Sequence, residues 1–194
     1  MSYKAAVQAN ETAQKELPNT TIEVIDTRTA HGAQLLCVLE ATKAANHGKN
    51  LHKILIIING LVPKLNLLYI LDTLYYLGKG GRVGKADVWT GPALDVKSIL
   101  EMDASTEGMM KPLARTRTYG KAIEKLTEVI KERNGNRKLR AVVSHSDIPE
   151  QAEKLKQQLL SLFPIEEIHI TDVSLITVIH DGPGALRLGW YSED

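Results

Sequence analysis

The sequence predicts an α/β fold, and three observations favour it. Segments with apolar residues at helical spacing alternate with short β-branched runs, and short polar stretches connect them. Apolar residues make up 43% of 194 residues, enough for one domain or two small ones. The two halves of the chain, divided near Pro63 to Asp72, are each typical of an α/β layer. Clefts between such layers are common ligand sites, so we expect two α/β domains around a ligand cleft.

The first part of the chain predicts helices and strands in the order α-β-α-α-β. An alanine-rich helical pattern covers residues 3–16, and the β-branched run over residues 21–25 favours a strand. Helical spacing predicts a helix over residues 34–46, which a glycine ends, and another over residues 51–61, which a proline ends. The apolar run over residues 67–71 predicts the next strand.

The pattern of apolar residues along the chain changes after Lys85. Two strand candidates, residues 96–102 and 109–114, flank the turn-like stretch DASTEG and predict a hairpin. A long helix with an apolar stripe from Ala122 to Ile130 follows, and residues 148–162 predict a further helix. The remaining strands are expected over residues 139–143, 165–170, 175–179 and 186–190.

Charge and cysteine content exclude several classes of protein. Lysine plus arginine number 24 and aspartate plus glutamate 23, so the chain lacks the single-sign field that nucleic acid or a membrane surface would favour. Cys37, the only cysteine, lies in an apolar helical stretch and is expected to be a buried structural thiol. The polar N-terminus and short apolar runs predict neither a signal peptide nor a spanning helix, so we expect a cytoplasmic protein.

The stretch KGGRVGK at residues 79–85 invites comparison with a phosphate-binding loop. A P-loop has glycine five positions before its Gly-Lys pair and a hydroxyl residue after it, but Lys79 and Ala86 occupy these positions. The glycine fingerprint of dinucleotide-binding proteins requires its third glycine at position 83, where this chain has Val83. Because the glycines follow a predicted short helix, the pattern alone favours a helix cap with exposed basic side chains.

Five ordered blocks resemble the DegV family. They are DTLYYLGKGGRVGKA, DVKSIL, LARTRTYGKAIEKL, VVSHSDIPEQAEKL and IHDGPGALRLGW. The upstream stretch SYKAAVQANETAQKELPNTTIEVIDTRTA is similar to the helix and strand of the family's first domain, so the resemblance covers nearly the whole chain. It implies that residues 1–65 are the remainder of a first α/β domain, incomplete at its N-terminus, and that residues 66–194 are the second. The family's first strand, Thr-Ser loop and Ser-Gly motif have no counterpart here.

The resemblance also implies a function. Members of the family bind a long-chain fatty acid between two domains and present its carboxylate to a fatty acid kinase subunit, which forms an acyl phosphate. Catalysis then belongs to the partner, so we expect a carrier that is not an enzyme, with the fatty acid as its ligand and no cofactor. Two head-group residues that the family carries in its N-terminal segment are missing from this chain.

The resemblance places His180 of the HDGPG motif near the ligand carboxylate, with Gly182 and Gly184 forming a tight turn beside it. An imidazole can donate a hydrogen bond to a carboxylate in either protonation state. Arg82 is implied at the same head-group end, where its guanidinium suits a carboxylate or an acyl phosphate. The alternatives are a turn histidine bonded to backbone and an exposed arginine at a helix C-terminus.

Arg115 and Arg117 alternate in the stretch ARTRT, so on an extended segment both would project to one face. Such a face fits the docking of an acidic partner or a phosphate. A solvated strand edge is the equal alternative. We predict both arginines as partner-docking residues.

An enzyme is the alternative function: a small α/β hydrolase or phosphotransferase that acts on a soluble substrate through His180 or the Arg82 loop. Residues 144–147, SHSD, include the residue types of a hydrolase, but triad members meet in space, and Ser146 or Asp147 is expected to cap the next helix. The nucleophile motif G-x-S-x-G does not occur. The six histidines lack the i, i+4 spacing of a helical metal site, so no metal is expected.

Overall fold

The computed structural model describes residues 2–81 and 96–193 as seven α-helices and six strands. The helices are α1 (Ser2–Glu16), α2 (His31–Asn46), α3 (Leu51–Leu61), α4 (Tyr75–Lys79), α5 (Tyr119–Asn134), α6 (Pro149–Leu162) and α7 (Leu175–Asp181). The strands are β1 (Asn66–Leu71), β2 (Lys97–Glu101), β3 (Lys111–Thr116), β4 (Leu139–His145), β5 (Ile165–Asp172) and β6 (Leu186–Ser192). Arg82, predicted as a ligand-binding residue, lies outside the described residues.

The six strands form one mixed sheet in the order β3-β2-β1-β6-β4-β5. Neighbouring strands run antiparallel except β4 and β5, which run parallel and are connected through α6. β2 and β3 form the predicted hairpin, and the Asp103 side chain fixes its turn by accepting hydrogen bonds from the N–H groups of Ser105 and Thr106. The predicted α/β fold class is confirmed.

Alternate residues of the strands face two different helix layers. α5 and α6 cover one face, which we call the α5/α6 face. α5 begins after Thr118, whose hydroxyl accepts a hydrogen bond from the N–H of Lys121. Its apolar stripe and that of α6 pack on the strands in a continuous core that includes Leu126, Leu155 and Trp190.

α2 and α3 cover the opposite face, which we call the α2 face. The close approach of α2 to the sheet depends on Gly189 of β6, because a Cβ atom there would lie 2.2 Å from the backbone nitrogen of Ala33. Cys37 of α2 is buried in this layer, as predicted. Burial raises the pKa of its thiol to about 11, so the thiol is protonated at neutral pH.

Three local predictions are wrong. Residues 21–25 form no strand, because a strand needs a neighbour for its backbone hydrogen bonds and none of the described strands pairs with this run. Residues 175–179 belong to the helix α7, since a short apolar run does not distinguish a strand from a helix. Ile148 rather than Ser146 or Asp147 is the N-cap of α6, and no side chain caps that helix.

All described strands lie within residues 66–192, and residues 2–65 supply three helices, of which α2 packs on β4 and β6. The division of the chain into domains at residue 65 stays a prediction. No helix in the described ranges is long and apolar enough to cross a bilayer.

Candidate ligand-binding site

A cavity of about 600 Å³ lies on the α2 face, beside the start of α2. Such a volume is within the usual range for small-molecule sites. Its apolar lining residues are Ala30, Leu77, Met102, Met109, Met110 and Ile176. Its polar lining residues are Ser2, His31, Tyr69, Thr177, His180 and Asp181. The cavity therefore combines an apolar wall with a polar wall to which α2, β1 and α7 contribute.

A row of polar side chains crosses the α2 face at this level of the sheet. Strand pairing places Tyr69 opposite Arg187, and Arg187 opposite Ser144. Ser144 in turn pairs with Thr171, and their hydroxyl oxygens are 3.0 Å apart. Directly paired residues point to the same face, so these four side chains form a polar row across the α2 face. A separate group of ion pairs on this face joins Arg140 of β4 and Glu167 of β5 to α2. Ser144 and Thr171 line a second cavity of about 330 Å³, which shares His31 with the first.

Arg187 has no exposed surface and is neutralised by Asp181 of α7. Its Nε donates to Asp181 Oδ2 at 2.9 Å, and its Nη2 donates to the same oxygen. Its Nη1 lies 3.5 Å from the Ser146 hydroxyl. A buried charge is tolerated when it is paired and hydrogen-bonded. Because Asp181 also lines the cavity, this ion pair forms part of the cavity wall.

His31 connects this ion pair to the cavity. It has a φ of 49°, a backbone conformation uncommon for residues other than glycine. Its Nε2 lies 3.9 Å from Asp181 Oδ2, and its ring meets the Tyr69 ring edge-on with centroids 5.7 Å apart. Burial, helped by the charge of Arg187, lowers the pKa of His31 to about 3, so the imidazole is neutral at physiological pH. Backbone strain next to a cavity is typical of functional sites.

The three residues predicted from the HDGPG motif lie at the end of α7 and in the turn that follows it. His180, near the end of α7, is half-buried and lines the cavity. Gly182 ends α7 with a φ of 80°, and Gly184 follows with a φ of 73°. Neither glycine lines the cavity. A Cβ atom on Gly182 would lie 2.5 Å from the Tyr76 ring, so the glycines shape the turn that follows His180. Ligand contact by these residues stays a prediction.

The two arginines predicted to dock a partner lie at the edge of the described sheet. Arg115 is exposed on the edge strand β3, opposite Ser98 of β2. Arg117 is exposed too, but β3 ends at Thr116, so strand alternation does not place the two arginines on one face. Their docking role stays a prediction.

The side chains of the SHSD stretch point to different partners. Ser144 contacts Thr171, and Ser146 contacts Arg187. His145 Nδ1 lies 3.5 Å from Asp172 Oδ1 without forming a hydrogen bond. These contacts do not form a Ser-His-Asp triad, so the geometry does not favour the hydrolase alternative. Within residues 2–81 and 96–193, no three His, Cys, Asp or Glu side chains converge to hold a metal ion.

Comparison with known proteins places this chain in a family. A family model described as "Uncharacterised protein, DegV family" matches residues 2–193. The chain belongs to the DegV family. A DegV domain-containing protein of Streptococcus pyogenes serotype M1 is 28% identical over 187 residues, which are 96% of this chain and 64% of that relative. This DegV chain therefore spans less than two thirds of the relative's length.

Solved DegV structures share the fold. A fatty-acid-binding DegV family protein from Thermus thermophilus is 28% identical, with a TM-score of 0.86 over 96% of this chain and 66% of that chain. The fatty acid kinase B3 protein of Streptococcus pneumoniae, loaded with linoleic acid, has a TM-score of 0.89 over 99% of this chain and 67% of that chain. It is 22% identical, and at this level the likeness establishes the fold alone.

Sequence reasoning missed four residues of this DegV cavity and its wall: His31, Tyr69, Asp181 and Arg187. One signal was available, because Arg187 stands between leucines in the predicted strand LRLGW, where a charged residue at a core position calls for a buried partner. His31 and Tyr69 gave no comparable signal. They meet only through the packing of α2 on β1 and β6, which the pattern of either segment does not contain.

Proposed function

We propose that this chain binds a long-chain fatty acid in the 600 Å³ cavity and presents its carboxylate to a fatty acid kinase subunit. The observation that carries the proposal is the cavity itself, whose apolar wall of Leu77, Ile176 and three methionines stands beside His180. The Thermus thermophilus neighbour, a fatty-acid-binding protein of the same family and fold, supports the choice of ligand.

The apolar wall supplies affinity for the tail. Each methylene removed from water stabilises the complex by about 0.8 kcal/mol before entropic costs. Methionine side chains are unbranched and flexible, so Met102, Met109 and Met110 can adapt to the shape of an acyl chain. The wall thus suits a long flexible ligand better than a rigid polar one.

The head group requires a donor, and we assign this role to His180. Arg82, Gly182 and Gly184 complete the head-group end in this proposal. The imidazole can donate to the carboxylate while the turn after α7 holds it at the cavity wall. Among the polar residues of the cavity wall, Thr177 and Asp181 are nearest to His180 in the sequence.

Phosphorylation of the carboxylate belongs to the kinase subunit in this proposal, and the chain acts as a cytoplasmic carrier rather than as an enzyme. The similarity to the DegV family is the basis for this step. Arg115 and Arg117 at the sheet edge are the docking residues that we assign to the kinase. Their exposure fits contact with an acidic partner.

Substitution His180→Ala tests the head-group assignment, with His52→Ala on the exposed surface of α3 as the matched control. We expect His180→Ala to weaken palmitate or oleate binding about tenfold, the worth of one charge-assisted hydrogen bond. Its melting temperature should equal that of the control. Unchanged affinity in His180→Ala would remove this residue from the site. A wild-type chain that binds neither acid would overturn the proposed function.

A further inference from the structure

The polar wall of the cavity holds more hydrogen-bonding capacity than the protein itself uses. Asp181, Tyr69 and His31 all line the cavity. Within the part of the chain that the structure describes, Asp181 and His31 each have a polar side-chain atom without a protein hydrogen bond, and the Tyr69 hydroxyl donates only to the Met102 sulfur. A plain acyl chain placed against such atoms would leave them dry and unpaired, which is unfavourable.

The contacts of each group show where this capacity lies. Both hydrogen bonds from Arg187 go to Asp181 Oδ2, and no described donor reaches Oδ1. The Tyr69 hydroxyl has only the Met102 sulfur, at 3.9 Å, among the described residues. The His31 Nε2 is 3.9 Å from Asp181 Oδ2, too far for a hydrogen bond.

The charges of the wall decide what kind of ligand group fits it. Arg187 cancels the charge of Asp181, and His31 is neutral, so the wall is polar without net charge. A second carboxylate would meet the free Asp181 oxygen and be repelled. A neutral hydroxyl can donate to that oxygen and accept from the Tyr69 hydroxyl or the imidazole N–H.

We propose that Asp181, Tyr69 and His31 form a hydroxyl-binding subsite, and that the preferred ligand is a long-chain fatty acid with a hydroxyl group on its chain. The inference rests on the proposed fatty-acid function and narrows its ligand class. Arg187 is a positioning residue, because its two hydrogen bonds hold Oδ2 of Asp181, a residue of the cavity wall, and leave Oδ1 without a described donor.

Competition between stearic acid and its monohydroxylated derivatives on the full chain tests the subsite. We expect the best hydroxy acid to bind about tenfold more tightly than stearic acid, which corresponds to one or two added hydrogen bonds. Tyr69→Phe should reduce this preference several-fold, since it removes one polar partner and keeps the ring. Tyr191→Phe, a buried tyrosine of the same sheet face that does not line this cavity, is the matched control and should keep the preference.

A second variant avoids an unpaired buried charge. Asp181→Leu combined with Arg187→Met removes both ions together, a change that folded proteins often tolerate. We expect this double variant to fold and to bind stearic acid at least as well as its hydroxylated derivatives. Equal affinity of the wild-type chain for all these acids would overturn the subsite and leave the fatty-acid function standing. Binding of none of them would overturn the proposed function itself.

Discussion

The two faces of the sheet are built from alternate residues of the same strands, yet they differ in chemistry. The α5/α6 face holds a large apolar core to which β6 contributes Leu186, Leu188 and Trp190, and its buried Glu101 of β2 pairs with Arg133 of α5. The α2 face takes the intervening residues, and there the same strand contributes Arg187 to a polar row beside a cavity. One strand thus contributes to a packed core on one side and to the polar row beside the cavity on the other.

This difference shows how the fold can hold a polar site without losing its core. The α5/α6 face gains stability from close packing of aliphatic side chains. On the α2 face, an ion pair, a strained histidine and a cavity take the place of packed aliphatic side chains. Each of these features stabilises the fold less than packed hydrocarbon does. Variants on the two faces should therefore separate stability from ligand binding.

The largest effect is expected from Arg187→Met alone. This change leaves the Asp181 carboxylate buried without its partner, which should lower the free energy of unfolding by about 3–5 kcal/mol. Urea denaturation measures the change. A loss below about 1 kcal/mol would show that the carboxylate is solvated in the folded protein and that the ion pair is not a structural requirement of the α2 face.

Leu155→Ala on the α5/α6 face should lower the free energy of unfolding by about 3 kcal/mol, through lost burial and the cavity left in the core. Fatty-acid affinity should be unchanged at a temperature where the variant is folded, because Leu155 faces away from the cavity. Isothermal titration checks this. A parallel loss of affinity would mean that the two faces are coupled.

Gly189→Ala should act through the spacing between α2 and the sheet. The new Cβ atom would clash with the backbone at Ala33, so α2 must shift, and we expect a loss of about 2 kcal/mol with weaker ligand binding. Thermal unfolding and the same titration measure both effects. Gly60→Ala on α3, where a Cβ meets no other atom, is the control and should stabilise by about 0.5–1 kcal/mol.

The smallest effect is a pH dependence of stability. His31 has a pKa of about 3 in the folded state, lowered mainly by burial from the ordinary histidine value of 6.5. Between these values the unfolded chain binds a proton that the folded chain does not, so stability falls as pH falls below 6.5. The loss from this group between pH 6.5 and 5.5 should be about 1 kcal/mol.

His31→Asn provides the comparison for that pH dependence. Asparagine tolerates the positive φ at this position and does not titrate. The variant should therefore show a flatter stability profile between pH 6.5 and 5.5 than the wild-type chain. Glu167, whose pKa ion pairing and hydrogen bonding lower to about 2, contributes only at more acidic pH. Identical slopes would show that His31 is solvated in the folded protein.

Local patterns in the sequence were enough to predict most of the sheet and the α5/α6 face. The helical spacing around Leu126 and Leu155 gave the stripes that pack there, because a helix that covers one face of a sheet repeats every three to four residues. The hairpin of β2 and β3 followed from its turn residues in the same way. These features depend on residues that are close in sequence.

The α2 face could be predicted only in part. Tyr69 and Arg187 meet because β1 and β6 are neighbours in the sheet, a pairing between strands far apart in the sequence. The apolar side chains in the short run of α7 are exposed, with Leu175 82% exposed. The spacing of these residues therefore did not indicate a helix with one buried face. His180 was found on its motif, but its neighbours at the cavity depend on tertiary packing.

Mass spectrometry of lipid extracted from the natively purified chain tests the fatty-acid function most directly. The cavity on the α2 face predicts a long-chain fatty acid in stoichiometric amount, released only when the protein is denatured. A folded sample, with the cooperative urea transition of the wild-type chain, that yields no fatty acid would contradict the proposal that this cavity encloses an acyl chain.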